Sequence, residues 1–206
     1  MGGANRHYER AFEAMLTRAR VPHLLVDDAR RALLPPGAAF GSRSAAGAGR
    51  RVKSFDAVVY GSDEIAGTHL LTEVKGRRVD LHNGSGTRRE SWTTGDDVAS
   101  LRAWEQLFGG RYEGVLVFLY WLDGPPPKAL GDETFRFEGR AYAHRAVRVA
   151  EYARLMRVRS PRWGTVSLAA ADFEAVSRTL WSLLEPASGT IGGRNRRSVA
   201  CGVPVA

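Results

Sequence analysis

The chain has 206 residues, with 30 Lys+Arg against 22 Asp+Glu and a formal net charge of +8. Its 44% hydrophobic and 25% charged content suits one globular domain large enough to bury a real core, which excludes global disorder. The single cysteine, Cys201, excludes an internal disulfide and a cysteine-based zinc site, and fits a reducing compartment.

In chain order, residues 6–20 place Tyr8, Ala11, Phe12, Met15, Leu16 and Ala19 at helical spacing, and Pro22 ends the helix. LLVDD (24–28) reads as a short strand, and the Pro/Gly/Ser/Ala-rich stretch 35–50 as a loop. SFDAVVY (54–60) and HLLTEVK (69–75) read as an antiparallel hairpin around GSDEIAGT. Residues 76–96 are polar and glycine-containing and predict a mobile loop. DDVASLRAWEQLFGG (96–110) has a cap residue in front and Gly109-Gly110 behind, the start and stop of a helix.

GVLVFLYWL (114–122) falls well short of the roughly 20 apolar residues of a membrane span and reads as a buried strand. DGPPPK (123–128) is a stiff turn. FRFEGRAYAHRAVRV (135–149) alternates like a hairpin, 150–158 predicts a short helix, WGTVSL (163–168) a strand and 170–184 one amphipathic helix. Trp104, Phe108, Trp121, Tyr152, Trp163 and Trp181 fit the faces of these elements as core residues. The sum is a mixed α/β domain over 6–185, with a core at 6–122, an appended C-terminal α+β layer at 123–185 and a disordered tail at 186–206. The N-terminus carries no apolar signal segment, so a soluble cytoplasmic chain is expected.

Positive charge favours a polyanionic partner. Of the 30 basic residues 27 are Arg, a skew that, with abundant Ala and Gly, fits a GC-rich coding bias. The three lysines, Lys53, Lys75 and Lys128, are therefore the more informative cations.

Glu73-Val74-Lys75 ends a strand. Strand side chains alternate, so Glu73 and Lys75 share one face and Val74 takes the other. An acid and an amine together on a strand face suit a site where a carboxylate holds a metal and a lysine steadies an anion. Asp56 lies in the preceding strand and can approach Glu73 if the two strands pair. Two carboxylates without Cys or His at ligand spacing favour a hard ion, Mg²⁺ or Mn²⁺. On the first helix Glu9 borders the apolar stripe and Glu13 points further toward water, which makes Glu9 the candidate third acid. Taken singly, each of these residues also fits a solvated surface.

A helix acid, a strand acid and then Glu-x-Lys, in that order, resemble the PD-(D/E)xK nuclease superfamily. HYERAFE (7–13) also matches the HYExAFE signature of a small bacterial family. Within the nuclease superfamily the similarity is to archaeal-type Holliday junction resolvases, with Phe108-Gly109-Gly110 leading into an apolar strand. It spans about residues 7–122. Phe55 stands where the motif proline usually precedes the aspartate, and 124–185 has no counterpart in the resolvases.

The resemblance implies a restriction-endonuclease-like mixed sheet flanked by helices and hydrolysis of DNA phosphodiester bonds, with structured or branched DNA as the substrate class. It also implies a divalent metal on Asp56 and Glu73 with Glu9 beside it, Lys75 at the scissile phosphate, and a homodimer. Lys53, Arg77, Arg78, Arg88 and Arg89 are candidates for a phosphate-tracking rim. The alternative is a catalytically silent module of the same fold that binds nucleic acid or a protein.

Overall fold

The computed structural model describes residues 6–26, 52–61, 67–82, 89–125 and 134–184. The expected loop at 35–50, Asp27, Asp28, Arg88 and the expected tail at 186–206 lie outside the described residues.

Six strands form the central sheet: β1 (His23–Leu25), β2 (Ala57–Val59), β3 (His69–Asp80), β5 (Tyr112–Asp123), β7 (Arg140–Arg148) and β6 (Thr134–Phe137), in that spatial order. β3 and β5 are parallel, and every other pair is antiparallel. A parallel pair needs a crossover, and α2 (Gly95–Phe108) supplies it. A second, three-stranded sheet sets β9 (Thr165–Ser167) between β4 (Thr93–Thr94) and β8 (Arg157–Ser160).

Helices cover both faces of the central sheet. α1 (Arg6–Arg18) buries Tyr8, Ala11, Phe12, Met15 and Leu16, one stripe at helical spacing. That stripe packs with Leu180 and Leu183 of α5 (Leu180–Leu184) against Ala57, Val59, Leu70, Val115, Val117 and Leu119. On the other face, α2, α3 (Val149–Leu155) and α4 (Ala170–Val176) bring Val98, Leu101, Val149, Tyr152 and Phe173 onto Val58, Leu71, Leu116 and Phe118. Buried on both sides, the middle of β5 reads as an unbroken apolar run. Tyr152 ties the small sheet to this face: its hydroxyl donates to Ser91 O at 2.6 Å and lies 3.2 Å from Val166 O.

The mixed sheet between helix layers is the expected architecture, and β6 and β7, from the segment expected as an appended layer, are two strands of that same sheet. Three local expectations are corrected. Residues 76–80 are strand, not loop: β3 continues through Gly76 in register with β5 as far as Asp80↔Asp123. The segment 150–158 is helical only to Leu155 and then enters β8. The single helix expected over 170–184 is two, broken around Arg178, whose backbone bonds Ala146 in both directions at 2.8 and 2.9 Å. Among the described residues β6 pairs with β7 from Phe137↔Arg140 to Thr134↔Ala143, and further along the same edge the Arg178 backbone bridges Ala146.

Candidate active site

The last rung of the β2–β3 ladder is Ala57↔Thr72. From Glu73 to Asp80, β3 runs on with β5 as its only ladder partner among the described residues. The backbone N–H of Val74 donates to Asp56 Oδ2 at 2.6 Å, and the Asp56 N–H donates to Thr72 O at 2.9 Å. The Asp56 carboxylate is thereby pinned to the β3 backbone between Glu73 and Lys75.

α2 approaches from the other side. Thr94 caps it: its hydroxyl accepts from the Asp97 N–H at 3.1 Å, and Asp97 Oδ2 accepts from the Thr94 N–H at 3.3 Å. This reciprocal capping box fixes the Asp97 carboxylate at the helix start. Asp97 Oδ2 also accepts from Thr93 Oγ1 at 3.0 Å and lies 2.8 Å from Lys75 Nζ. Its Oδ1 is 3.0 Å from Lys53 Nζ. Lys75 Nζ is in turn 2.7 Å from Glu73 Oε1, so the amine is bracketed by two carboxylates.

Glu9, Asp56, Glu73 and Lys75 all border one cavity of about 140 Å³, with Tyr8 and Arg77 in its walls. Glu9 stands on an exposed part of α1, and Glu13, expected nearer water, is the more buried of the two. Glu73, Lys75 and Asp97 are only 16%, 17% and 9% exposed, so their charges interact through a poorly hydrated medium.

Burial first, then the charge of Asp56, push the Glu73 carboxyl up to about 7 against the pull of Lys75. Burial would lower the Lys75 amine, but Glu73 and then Asp97 outweigh it and raise it. Burial would raise Asp97, yet Lys75, Lys53 and Thr94 hold it well below the usual carboxylate range. Two acids with opposite shifts therefore flank one amine.

The candidate rim residues separate. Lys53 sits at the site through Asp97 and Thr94 Oγ1, and its carbonyl accepts from Trp104 Nε1 at 2.7 Å. The Arg77 guanidinium lies 3.7 Å over the Trp92 ring and donates to Gly76 O and Trp92 O. Arg78 turns to the α1 face, over Trp121 and paired with Asp123. Arg89 pairs with Glu174.

Among the described residues, no three His, Cys, Asp or Glu side chains stand ready around a common ion. The donor set does suit a hard cation: Asp56 and Glu73 border one cavity closely enough that the charge on one raises the other. Asp97 is a site residue that the sequence does not single out. Its signal was present in Thr94-x-x-Asp97, the capping spacing, but the spacing says nothing of Lys75. Trp163 and Phe108, expected in the core, are 70% and 42% exposed. Trp163 lies in the turn between β8 and β9, and Phe108 ends α2, where one side of its ring packs with Phe55, Trp104 and Tyr112.

No family model and no curated protein matches the chain, so the HYERAFE likeness stands on those seven residues alone. Among solved structures the chain is similar to Archaeoglobus fulgidus Hjc, a Holliday junction resolvase from an archaeal hyperthermophile. The identity is 17%, the match covers 83% of this chain and 93% of that chain, and the TM-score is 0.44. Among the described residues no helix is long and apolar enough to cross a membrane.

Proposed function

We propose that the chain is a metal-dependent endonuclease that hydrolyses DNA phosphodiester bonds, with structured or branched DNA as its substrate class. One observation carries the reading: three acids and one amine from three separate segments border a single small cavity. Asp56 and Glu73, with Glu9 beside them, would hold Mg²⁺ or Mn²⁺, which supplies charge neutralisation at phosphate oxygens and a more acidic bound water.

The chain's own groups do the rest. The Val74 N–H fixes the rotamer of Asp56, so one carboxylate oxygen is spoken for and the carboxylate is pre-oriented. Lys75 places a permanent positive charge beside the point where a phosphate gains negative charge. Asp97 holds that amine from behind through Oδ2, while Lys53 engages the other Asp97 oxygen and keeps the carboxylate in place.

The rival is a silent nucleic-acid-binding module. It is favoured by the same ion pairs, because Lys75 already neutralises Glu73. Purified protein with branched, nicked and single-stranded DNA plus Mg²⁺ or Mn²⁺ separates the two. Cleavage that disappears in Asp56→Ala supports the enzyme. No cleavage of any substrate, or equal cleavage by Asp56→Ala, leaves the binding module. Sedimentation of the same samples reads out whether a homodimer forms.

A further inference from the structure

The segment 154–163 (RLMRVRSPRW) carries four arginines and no acid. It comprises the end of α3, all of β8 and the turn into β9. Residues 156–159 and 161–164 are all exposed. Trp163 is 70% exposed and Val158 69%, the two most exposed large apolar side chains among the described residues. The Trp163 indole is presented to water at the hairpin tip with the Arg162 guanidinium 5.3 Å from its ring, an aromatic face and cations side by side.

The hairpin is built into the site. Its turn is fixed by Gly164, whose carbonyl accepts from the Gly95 N–H at 2.8 Å. Gly95 opens α2, two residues before Asp97, which holds Lys75. β9 pairs with β4 at Thr93↔Val166 and Thr94↔Thr165, so Thr93 and Thr94 serve the hairpin and Asp97 together. A chain of cations and rings joins the two places. Arg77 walls the cavity and stacks on Trp92, and Arg159 of β8 lies 5.1 Å over the same ring. Glu90 balances part of this charge, at 3.9 Å from Arg77 and 3.5 Å from Arg159. Arg157 has a 3.3 Å contact to Asp172, and no ion pair engages Arg154 or Arg162 among the described residues.

We infer that the β8–β9 hairpin is a DNA-contacting arm for unpaired bases, with Trp163 as the stacking platform and Arg157, Arg159 and Arg162 on the phosphates. A base stacks on an exposed indole only by its open face, so the partner is a single-stranded segment rather than an intact duplex. Arginine supplies the sequence-independent term, and the rigid tie to α2 delivers the held strand toward the cavity. The inference rests on the DNA-cleaving reading for its choice of polyanion, but it concerns binding alone.

The test is fluorescence anisotropy of labelled single-stranded and duplex DNA with the full chain in EDTA, for wild type, Trp163→Ala and Arg162→Ala. Circular dichroism melts accompany each variant. The expected result is single-strand affinity lowered by about 5- to 150-fold in Trp163→Ala, with a smaller change on duplex. Arg162→Ala should reduce the slope of log affinity against log salt by about 0.7.

Wild-type affinity and slope in both variants overturn the arm, as does a wild-type chain that binds no DNA. Trp163→Ala that shifts a dimer to monomer in sedimentation while binding DNA normally reassigns the tip to a protein interface and also overturns it. Mg²⁺-dependent cleavage, scored separately through Asp56→Ala, keeps the two readings apart: a chain that binds through the hairpin and never cuts loses only the enzyme.

Discussion

The two halves of β3 have opposite characters. Over His69–Thr72 the strand lies between β2 and β5, and Leu70, Leu71 and Thr72 are fully buried. From Glu73 onward β5 is its one described ladder partner, and the residues become Glu73, Lys75, Arg77 and Arg78. Strand and β5 partner are the same throughout, and the change of chemistry coincides with the departure of β2. A strand edge released from its ladder offers unclaimed backbone groups and open space, and here one of those N–H groups pins a carboxylate. The first half of the strand stabilises the fold, and the second half accepts buried charge that the first half could not tolerate.

The sharpest way to break this contrast is to substitute one residue from each half. Glu73→Gln should lower Mg²⁺-dependent cleavage by at least about a hundredfold. Its denaturation midpoint should be unchanged or higher, because a buried carboxylate crowded by Asp56 is replaced by a neutral group and Lys75 keeps Asp97. Leu71→Ala should do the reverse. It costs about 2–5 kcal/mol of stability through lost burial and a cavity, while folded protein at low temperature retains its cleavage. Urea titrations paired with cleavage rates check both. A Glu73→Gln protein that unfolds as readily as Leu71→Ala would show the second half to be structural as well.

The contrast also marks what could be read from the letters alone. The apolar stripe of α1, the unbroken apolar run of β5 and the Glu73-x-Lys75 alternation are local patterns, visible at spacings of two to four residues. Continuation of β3 through Gly76 was not legible, because a glycine followed by two arginines looks like a loop until the parallel partner β5 is known. Asp97 was not legible as a partner of Lys75, since that contact exists only after α2 crosses over the sheet. The break at Arg178 coincides with its backbone bridge to Ala146 of β7, again a long-range fact. Elements follow from near neighbours, whereas a site made of distant segments is hinted at by residue type and completed by topology.

A second test uses the far side of the sheet, where a titratable group is buried without any catalytic assignment. His144 on β7 is 1% exposed, and its Nε2 accepts from the Leu180 N–H at 3.1 Å, which holds α5 in place. Burial, and then the charge of Arg145, lower its pKa from 6.5 to about 4. The folded state therefore refuses a proton that the unfolded chain accepts. The contribution is whole above pH 6.5, declines as pH falls through the window from 6.5 to about 4, and its total loss is up to about 3 kcal/mol. The urea midpoint against pH should show this decline in wild type and a flatter profile in His144→Gln. An unchanged profile in the variant would assign the acid sensitivity to the carboxylates of the site instead.

The smallest expected effect lies at the junction between the two characters. Gly76 follows Lys75, and a Cβ built there would stand 2.1 Å from Tyr8 Cδ2, closer than any real contact. Tyr8 packs its ring directly on the strand backbone, which is how α1 comes near enough for Glu9 to border the cavity. Gly76→Ala must displace that ring, at a cost of about 1–3 kcal/mol, and α1 with it. Cleavage should fall more than stability, because Tyr8 and Glu9 are adjacent and move together. Tyr8→Leu alone should cost stability by removing buried aromatic area. In Gly76→Ala/Tyr8→Leu the smaller side chain makes room for the new methyl, so the double variant should be more stable than the two single losses added together. Additive losses would mean that Tyr8 and Gly76 are not in the contact on which the placement of Glu9 depends.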